Sequence, residues 1–206
     1  LGRRPDGYHE IDTILQTIAL EDVLELIRTE LPGIRFSAAG RPIPGEGPNL
    51  VERAWDILAA ERPELKKAGV TARLLKRIPV GAGLGGGSSD AAGLLAGANS
   101  LFGLGLGTAD LERLAADLGS DVPFFIQGGT ARATGRGERL RQLRPLPPVW
   151  VVVVSPPVAV STSWAYGLLR KRLTLRGSSA SILASAVARG DVGAAVDARY
   201  NAFEDV

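Results

Sequence analysis

Five glycines fall within the seven residues Gly81–Gly87 of the stretch IPVGAGLGGGSSDAAGLLAGAN, which runs from Ile78 to Asn99. Between them only Ala82 and Leu84 carry side chains. Glycine loses more conformational freedom on folding than any other residue, so such a run in an ordered segment needs a reason. Ahead of it, the alternation of Val70, Ala72 and Leu74 predicts a strand over 70–78. Behind it, small and aliphatic residues predict a helix from about Ser88 to Leu101. A strand, a glycine loop and a helix in that order make an anion site. Backbone N–H groups converge in the loop, and the helix N-terminus carries partial positive charge. Ser88 and Ser89 stand where they can cap the helix and donate to phosphate oxygens. A tight turn needed only for packing leaves the two serines and the density of glycines without an explanation.

Two familiar phosphate loops fit poorly. A Walker A loop ends in Gly-Lys-Ser/Thr, and here Gly87 is followed by Ser88 with no lysine. A G-x-G-x-x-G pattern is present at Gly81, Gly83 and Gly86. A dinucleotide fold also needs a second hydrophobic strand ending in an acidic residue about twenty residues on. GLGLGTADLERL occupies that place, with Asp110 at a helix start.

Elsewhere, Ile11 to Arg28 reads as two strands broken near Glu21 and Asp22, and Gly40 to Pro48 as a loop. Asn49 is the expected N-cap of LVERAWDILAAE, whose apolar face would be Leu50, Ala54, Ile57 and Leu58. Thr108 is expected to cap TADLERLAADLG, and Val122 to Ile126 is a short apolar run. Ala131 to Leu143 reads as an exposed hairpin and Trp150 to Val154 as a buried strand. Helices are expected at Ser161–Arg172, Ser179–Arg189 and Asp191–Phe203. Strands dominate early and helices late, which predicts an α+β fold.

The chain has 206 residues, 45% hydrophobic and 22% charged, the composition of an ordinary globular protein. A net charge of +2 is too small to argue for nucleic acid or a membrane surface, and the longest apolar runs are too short to span a bilayer. The absence of cysteine excludes disulfides and thiolate metal sites and mildly favours the cytoplasm. There is no methionine, so the chain is expected to be a fragment missing its N-terminus. Nothing in the sequence sets an oligomeric state.

The phrase P-x-G-x-G-L-G-G-G-S-S-D-A-A from Pro79 resembles the second motif of the GHMP kinases, a loop that wraps the phosphates of ATP. The triple glycine resembles one branch of that family, whose substrate is a cytidyl-diphosphate alcohol on the non-mevalonate route to isoprenoids. PDGYHEIDTILQTIAL and LGSDVPFFIQGGTARATGRGE resemble two further segments of the same branch, in the same order. The resemblance implies the GHMP kinase fold: an N-terminal domain like domain 2 of ribosomal protein S5, here residues 1–145, and the start of a ferredoxin-like C-terminal domain, here 146–206.

It also implies residue roles. The family's catalytic aspartate falls on Asp121, which would accept the proton of the reacting hydroxyl and touch the substrate. ATP would be held by Asn49, Lys76, Pro79, Gly81, Gly83, Leu84, Gly85, Gly86, Gly87, Ser88 and Ser89, with Lys76 near the adenine and ribose. Tyr8 would stack on the cytosine and His9 hydrogen-bond it, with Thr162 and Tyr166 lining the same pocket. Magnesium would bridge the phosphates. Its protein ligands are open, and Asp90 could reach the ion or simply sit in the first helical turn. The family's first strand, with a lysine that pairs with the catalytic aspartate, and its third glycine motif are not found in the sequence. Three alternatives therefore stay open: another GHMP small-molecule kinase, a nucleotide-binding fragment without catalysis, and more distantly a dinucleotide-binding oxidoreductase.

Overall fold

The computed structural model describes Arg4, Gly7 and residues 9–45, 47–156, 162–169 and 179–205. In chain order the elements are strands β1 (Ile11–Gln16), β2 (Val23–Thr29) and β3 (Gly33–Gly40), helix α1 (Leu50–Glu61), a 3-10 turn (Pro63–Lys67) and strand β4 (Gly69–Lys76). Helices α2 (Gly86–Phe102), α3 (Thr108–Leu118) and α4 (Phe124–Gln127) follow, then strands β5 (Thr130–Gly135) and β6 (Arg139–Gln142). Helices α5 (Thr162–Leu169), α6 (Ser179–Arg189) and α7 (Val192–Asp197) and a 3-10 turn (Ala202–Asp205) complete the chain. The mixture is α+β, as the order of patterns predicts. The residues fall into two compact units, Ile18–Gln127 and Leu1–Thr17 with Gly128–Val206.

In the Ile18–Gln127 unit, β4 is the middle strand of a three-stranded sheet. It pairs antiparallel with β2, Val23 opposite Leu75, and parallel with β3, Gly33 opposite Gly69. Parallel neighbours need a crossover, and α1 supplies it between β3 and β4. Val70, Ala72 and Leu74 of β4 are buried, and Val70 and Ala72 join Ala54 and Leu58 of α1, Leu94 and Leu95 of α2 and Leu114 of α3 in one core. The strand β3 is not foreseen from GIRFSAAG. Its apolar alternation is short and fades into small residues, Ile34, Phe36 and then Ala38, and pairing with β4 extends the strand to Gly40.

Local chemistry fixes the helix ends. Asn49 Oδ1 accepts from the N–H groups of Val51 and Glu52 at 2.8 and 3.1 Å, and the Glu52 carboxylate accepts from the Asn49 N–H at 3.0 Å. This reciprocal capping box satisfies donors that a bare helix start leaves open. The buried face of α1 is Val51, Ala54, Trp55 and Leu58, one step round from the expected one, with Leu50 and Ile57 half-buried at its margin. The N-cap of α3 is Gly107 rather than Thr108, and the Asp110 carboxylate accepts its N–H at 3.2 Å. The run after Asp121 turns into the short helix α4, with the Phe125 N–H donating to the Val122 carbonyl at 3.1 Å and the Ile126 N–H to the Pro123 carbonyl at 3.2 Å.

In the other unit β5 lies between β1 and β6, antiparallel to both. The expected hairpin is therefore exposed only on its β6 side, while Thr130, Ala131 and Ala133 of the middle strand are buried. Arg132 donates to both carboxylate oxygens of Asp12, from Nε at 2.7 Å and Nη2 at 2.6 Å. Helix α6 has the expected bounds. The expected 191–203 helix ends at Asp197, after an N-cap in which Asp191 accepts from the Ala194 N–H at 2.9 Å. The expected buried strand at 150–154 is not present. That segment forms no ladder, and Trp150, Val152 and Val154 are 103%, 89% and 82% exposed. A β-branched run becomes a strand only through a hydrogen-bonded neighbour, and none is found for it among the described residues.

Candidate functional site

The glycine loop leaves the end of β4 and returns as the start of α2. Gly81, Gly83 and Gly85 all have φ near +70°, a region that side-chain-bearing residues seldom adopt. At Gly85 a second constraint acts, because a Cβ would come within 2.6 Å of Phe125 Cζ. Phe125 belongs to α4, so the helix that follows Asp121 is seated directly against the loop. Gly86 has an ordinary backbone but no room, since a Cβ there would lie 2.8 Å from Ile78 Cγ2 and 2.9 Å from Lys76 Nζ. Gly87 has neither restriction. It is exposed, and a Cβ would meet nothing closer than Leu50 Cδ1 at 3.5 Å.

Helix α2 begins at Gly86, two residues before the expected start, with Gly85 as its N-cap. Ser88 and Ser89 therefore stand inside the first turn and do not cap it. No side chain caps α2, and the Ser89 hydroxyl donates to the Gly86 carbonyl at 2.8 Å. The first N–H groups of the helix consequently keep their capacity to hold an anion. Pro79 and Leu84 are half-buried along the loop. Asn49 sits at the start of α1, and the following residue, Leu50, is the side chain nearest Gly87.

Lys76 does not point outward. Its side chain is 3% exposed, and Nζ donates to Asp22 Oδ2 and, at 2.6 Å, to Asp90 Oδ2. The other oxygen of Asp22 accepts from the backbone N–H groups of Arg77 and Ile78. Asp90 is thus turned inward onto the lysine. Burial pushes its carboxyl up to about 6, against the opposing pull of Lys76 and with a further push from Asp22. Burial also pushes on Asp22, but Lys76 and the two backbone donors outweigh it and hold that carboxyl below its usual value. Asp22 is the residue that the sequence patterns miss. It lies 54 residues from Lys76, and its only signal is that it breaks two strands.

Asp121 occupies the turn between α3 and α4, beside the buried Val122, Pro123 and Phe124. The residue reaches the surface, yet enough protein surrounds its carboxyl that partial loss of water raises its pKa. It makes no hydrogen bond or ion pair among the described residues. Asn49, Lys76, the loop and Asp121 all belong to the Ile18–Gln127 unit. His9, half-buried just ahead of β1, belongs to the other unit, as do Thr162 and Tyr166 on α5. Tyr8 lies outside the described residues.

No group of three His, Cys, Asp or Glu side chains that could hold a metal ion occurs among the described residues. No described helix is long and apolar enough to cross a membrane.

Residues 49–129 match the profile described as GHMP kinases N terminal domain. The whole chain aligns at 44% identity with a 4-diphosphocytidyl-2-C-methyl-D-erythritol kinase of Pelotomaculum thermopropionicum, covering 71% of that protein. The namesake from Geobacter sulfurreducens is 46% identical over 88% of this chain and 63% of its own length. Among solved structures, a 4-(cytidine 5'-diphospho)-2C-methyl-D-erythritol kinase superposes with a TM-score of 0.75 at 36% identity, over 98% of this chain and 70% of that one. A Leishmania major mevalonate kinase, 15% identical with a TM-score of 0.68, shares the fold.

Proposed function

This chain belongs to the 4-diphosphocytidyl-2-C-methyl-D-erythritol kinase family, a branch of the GHMP kinases, and on that premise we propose that it transfers the γ-phosphoryl group of ATP to the 2-hydroxyl of 4-diphosphocytidyl-2-C-methyl-D-erythritol. The reaction would serve isoprenoid precursor synthesis in the cytoplasm. The observation that carries the reading is the loop at 81–89. Its left-handed glycines run into an uncapped helix start, and Gly87 is bare although neither backbone strain nor packing demands it. Such a surface suits a ligand that must lie against the backbone, and a triphosphate supplies the negative charge.

Phosphoryl transfer asks the protein chiefly for positioning and charge stabilisation. The N–H groups of the loop and of the first turn of α2 would hold the phosphates, with Pro79, Leu84 and Asn49 alongside. Asp121 would take the hydroxyl proton as the new oxygen–phosphorus bond forms and ADP departs. Tyr8, His9, Thr162 and Tyr166 would hold the cytidyl substrate. The donor set fits a magnesium ion held mainly by phosphate oxygens, because Asp22 and Asp90 are engaged with Lys76. Ser88 or Ser89 would supply a hydroxyl oxygen, and the ion would neutralise charge on the phosphates. We assign the ATP domain to 1–145 and the start of the C-terminal domain to 146–206. The compact units divide the chain at other points, after Thr17 and after Gln127.

The test is transfer of labelled phosphate from ATP to the cytidyl alcohol. Asp121→Asn is expected to lower turnover by about 10²–10⁴-fold while ATP still binds. Undiminished turnover would remove Asp121 as the base. A second reading, a nucleotide-binding chain without catalysis, draws on the same loop, whose anion-binding geometry does not depend on Asp121. ATP binding without turnover in the unaltered chain would favour it.

A further inference from the structure

The two ends of the glycine loop are tied together beneath it. Lys76 is the last residue of β4, before the loop, and Asp90 lies in α2, after it. One ammonium bridges Asp90 to Asp22, and Asp22 also grips the backbone N–H groups of Arg77 and Ile78 on the way into the loop. We propose that Asp22, Lys76 and Asp90 form a buried staple that fixes the span of the glycine loop, which makes Asp22 and Asp90 positioning residues for the phosphates of the nucleotide. The inference rests on reading 81–89 as the phosphate loop.

Three observations carry it. The three side chains are only 3%, 4% and 6% exposed, so the staple is part of the interior and not a surface contact. The ammonium lies against the loop itself, close enough to Gly86 that a Cβ there would come within 2.9 Å of Nζ. Finally, stability alone does not select this arrangement. Two carboxylates against one ammonium leave an uncompensated charge, and a buried ion cluster is often no more stable than well-packed apolar residues. A cation is also unfavourable at the start of a helix, where the dipole is positive. What the cluster supplies is directional: an acid from the β1–β2 connection, a base from β4 and an acid from α2 meet in one geometry. The staple gives Lys76 an indirect role, through the loop, in place of a contact with adenine or ribose.

The test compares the dissociation constants of ATP and adenosine for the full chain and for Asp22→Asn and Asp90→Asn, each checked for a native melting transition. Asparagine keeps the shape and an acceptor oxygen while weakening the link to Lys76. Asp22→Asn is expected to weaken ATP about tenfold, the loss of one hydrogen bond to a buried charge, and to leave adenosine within about twofold. Asp90→Asn should act in the same direction. It retains a one-to-one Lys76–Asp22 pair, so it carries the test alone if Asp22→Asn does not fold. Equal loss of both ligands, or no loss of either, overturns the staple. If the unaltered chain binds ATP no more tightly than adenosine, the phosphate-loop reading falls first and the staple with it.

Discussion

Arg132 in one compact unit and Lys76 in the other each tie distant stretches of chain, and the two ties differ in kind. Arg132 holds Asp12 in a forked geometry, partly exposed, between strands already joined by backbone hydrogen bonds, and its Nη2 also donates to the Ser181 hydroxyl at 3.3 Å. Lys76 meets two carboxylates almost out of reach of water, and it joins three segments, only one of which, β4, is in the sheet there. The first tie reinforces a register that the ladder already sets. The second specifies how a loop leaves a strand and enters a helix. An ion cluster is thus informative about function when it fixes a loop that no backbone ladder holds.

Breaking the two ties should separate them. Lys76→Met leaves two buried carboxylates facing each other and is expected to cost about 3–5 kcal/mol in urea unfolding. A cost no larger than that of the surface pair would erase the distinction. The pH dependence should be next in size. Asp90 faces Lys76 and Asp22, and it keeps its proton up to about 6 in the folded chain but only to about 3.8 when unfolded. Raising the pH through that window takes a proton from the folded state, so this group's contribution to stability declines between about pH 4 and 6, on the order of 3 kcal/mol. Asp90→Asn should remove that decline, and identical pH profiles for the two proteins would contradict the assignment. Arg132→Ala is expected to cost about 1–2 kcal/mol, because the forked bond is only partly shielded from water. Asn49→Ala, which strips the cap from α1 without touching either tie, should cost about 1 kcal/mol.

The same contrast explains what could be read from sequence. The β4–loop–α2 unit was legible because its signals are local: alternation in Val70–Leu74, then glycines, then small residues at helical spacing. Position within that unit was less legible, since the helix opens at Gly86 and takes Ser88 and Ser89 into its first turn. The strand β3 escaped notice because its identity comes from its neighbour. Val149–Val154 misled for the converse reason, having strand composition and no described partner. Asp121 is an ordinary turn aspartate by pattern, and only the family resemblance singled it out. Asp22 could not be found at all, because nothing in LEDVLEL announces a lysine 54 residues away.

The most direct measurement is a substrate panel with ATP and magnesium: the cytidyl-diphosphate alcohol, mevalonate and homoserine. Phosphorylation of the cytidyl alcohol alone is the predicted result. Phosphorylation of mevalonate or homoserine in its place would contradict the account, and with it the roles given to Tyr8 and His9.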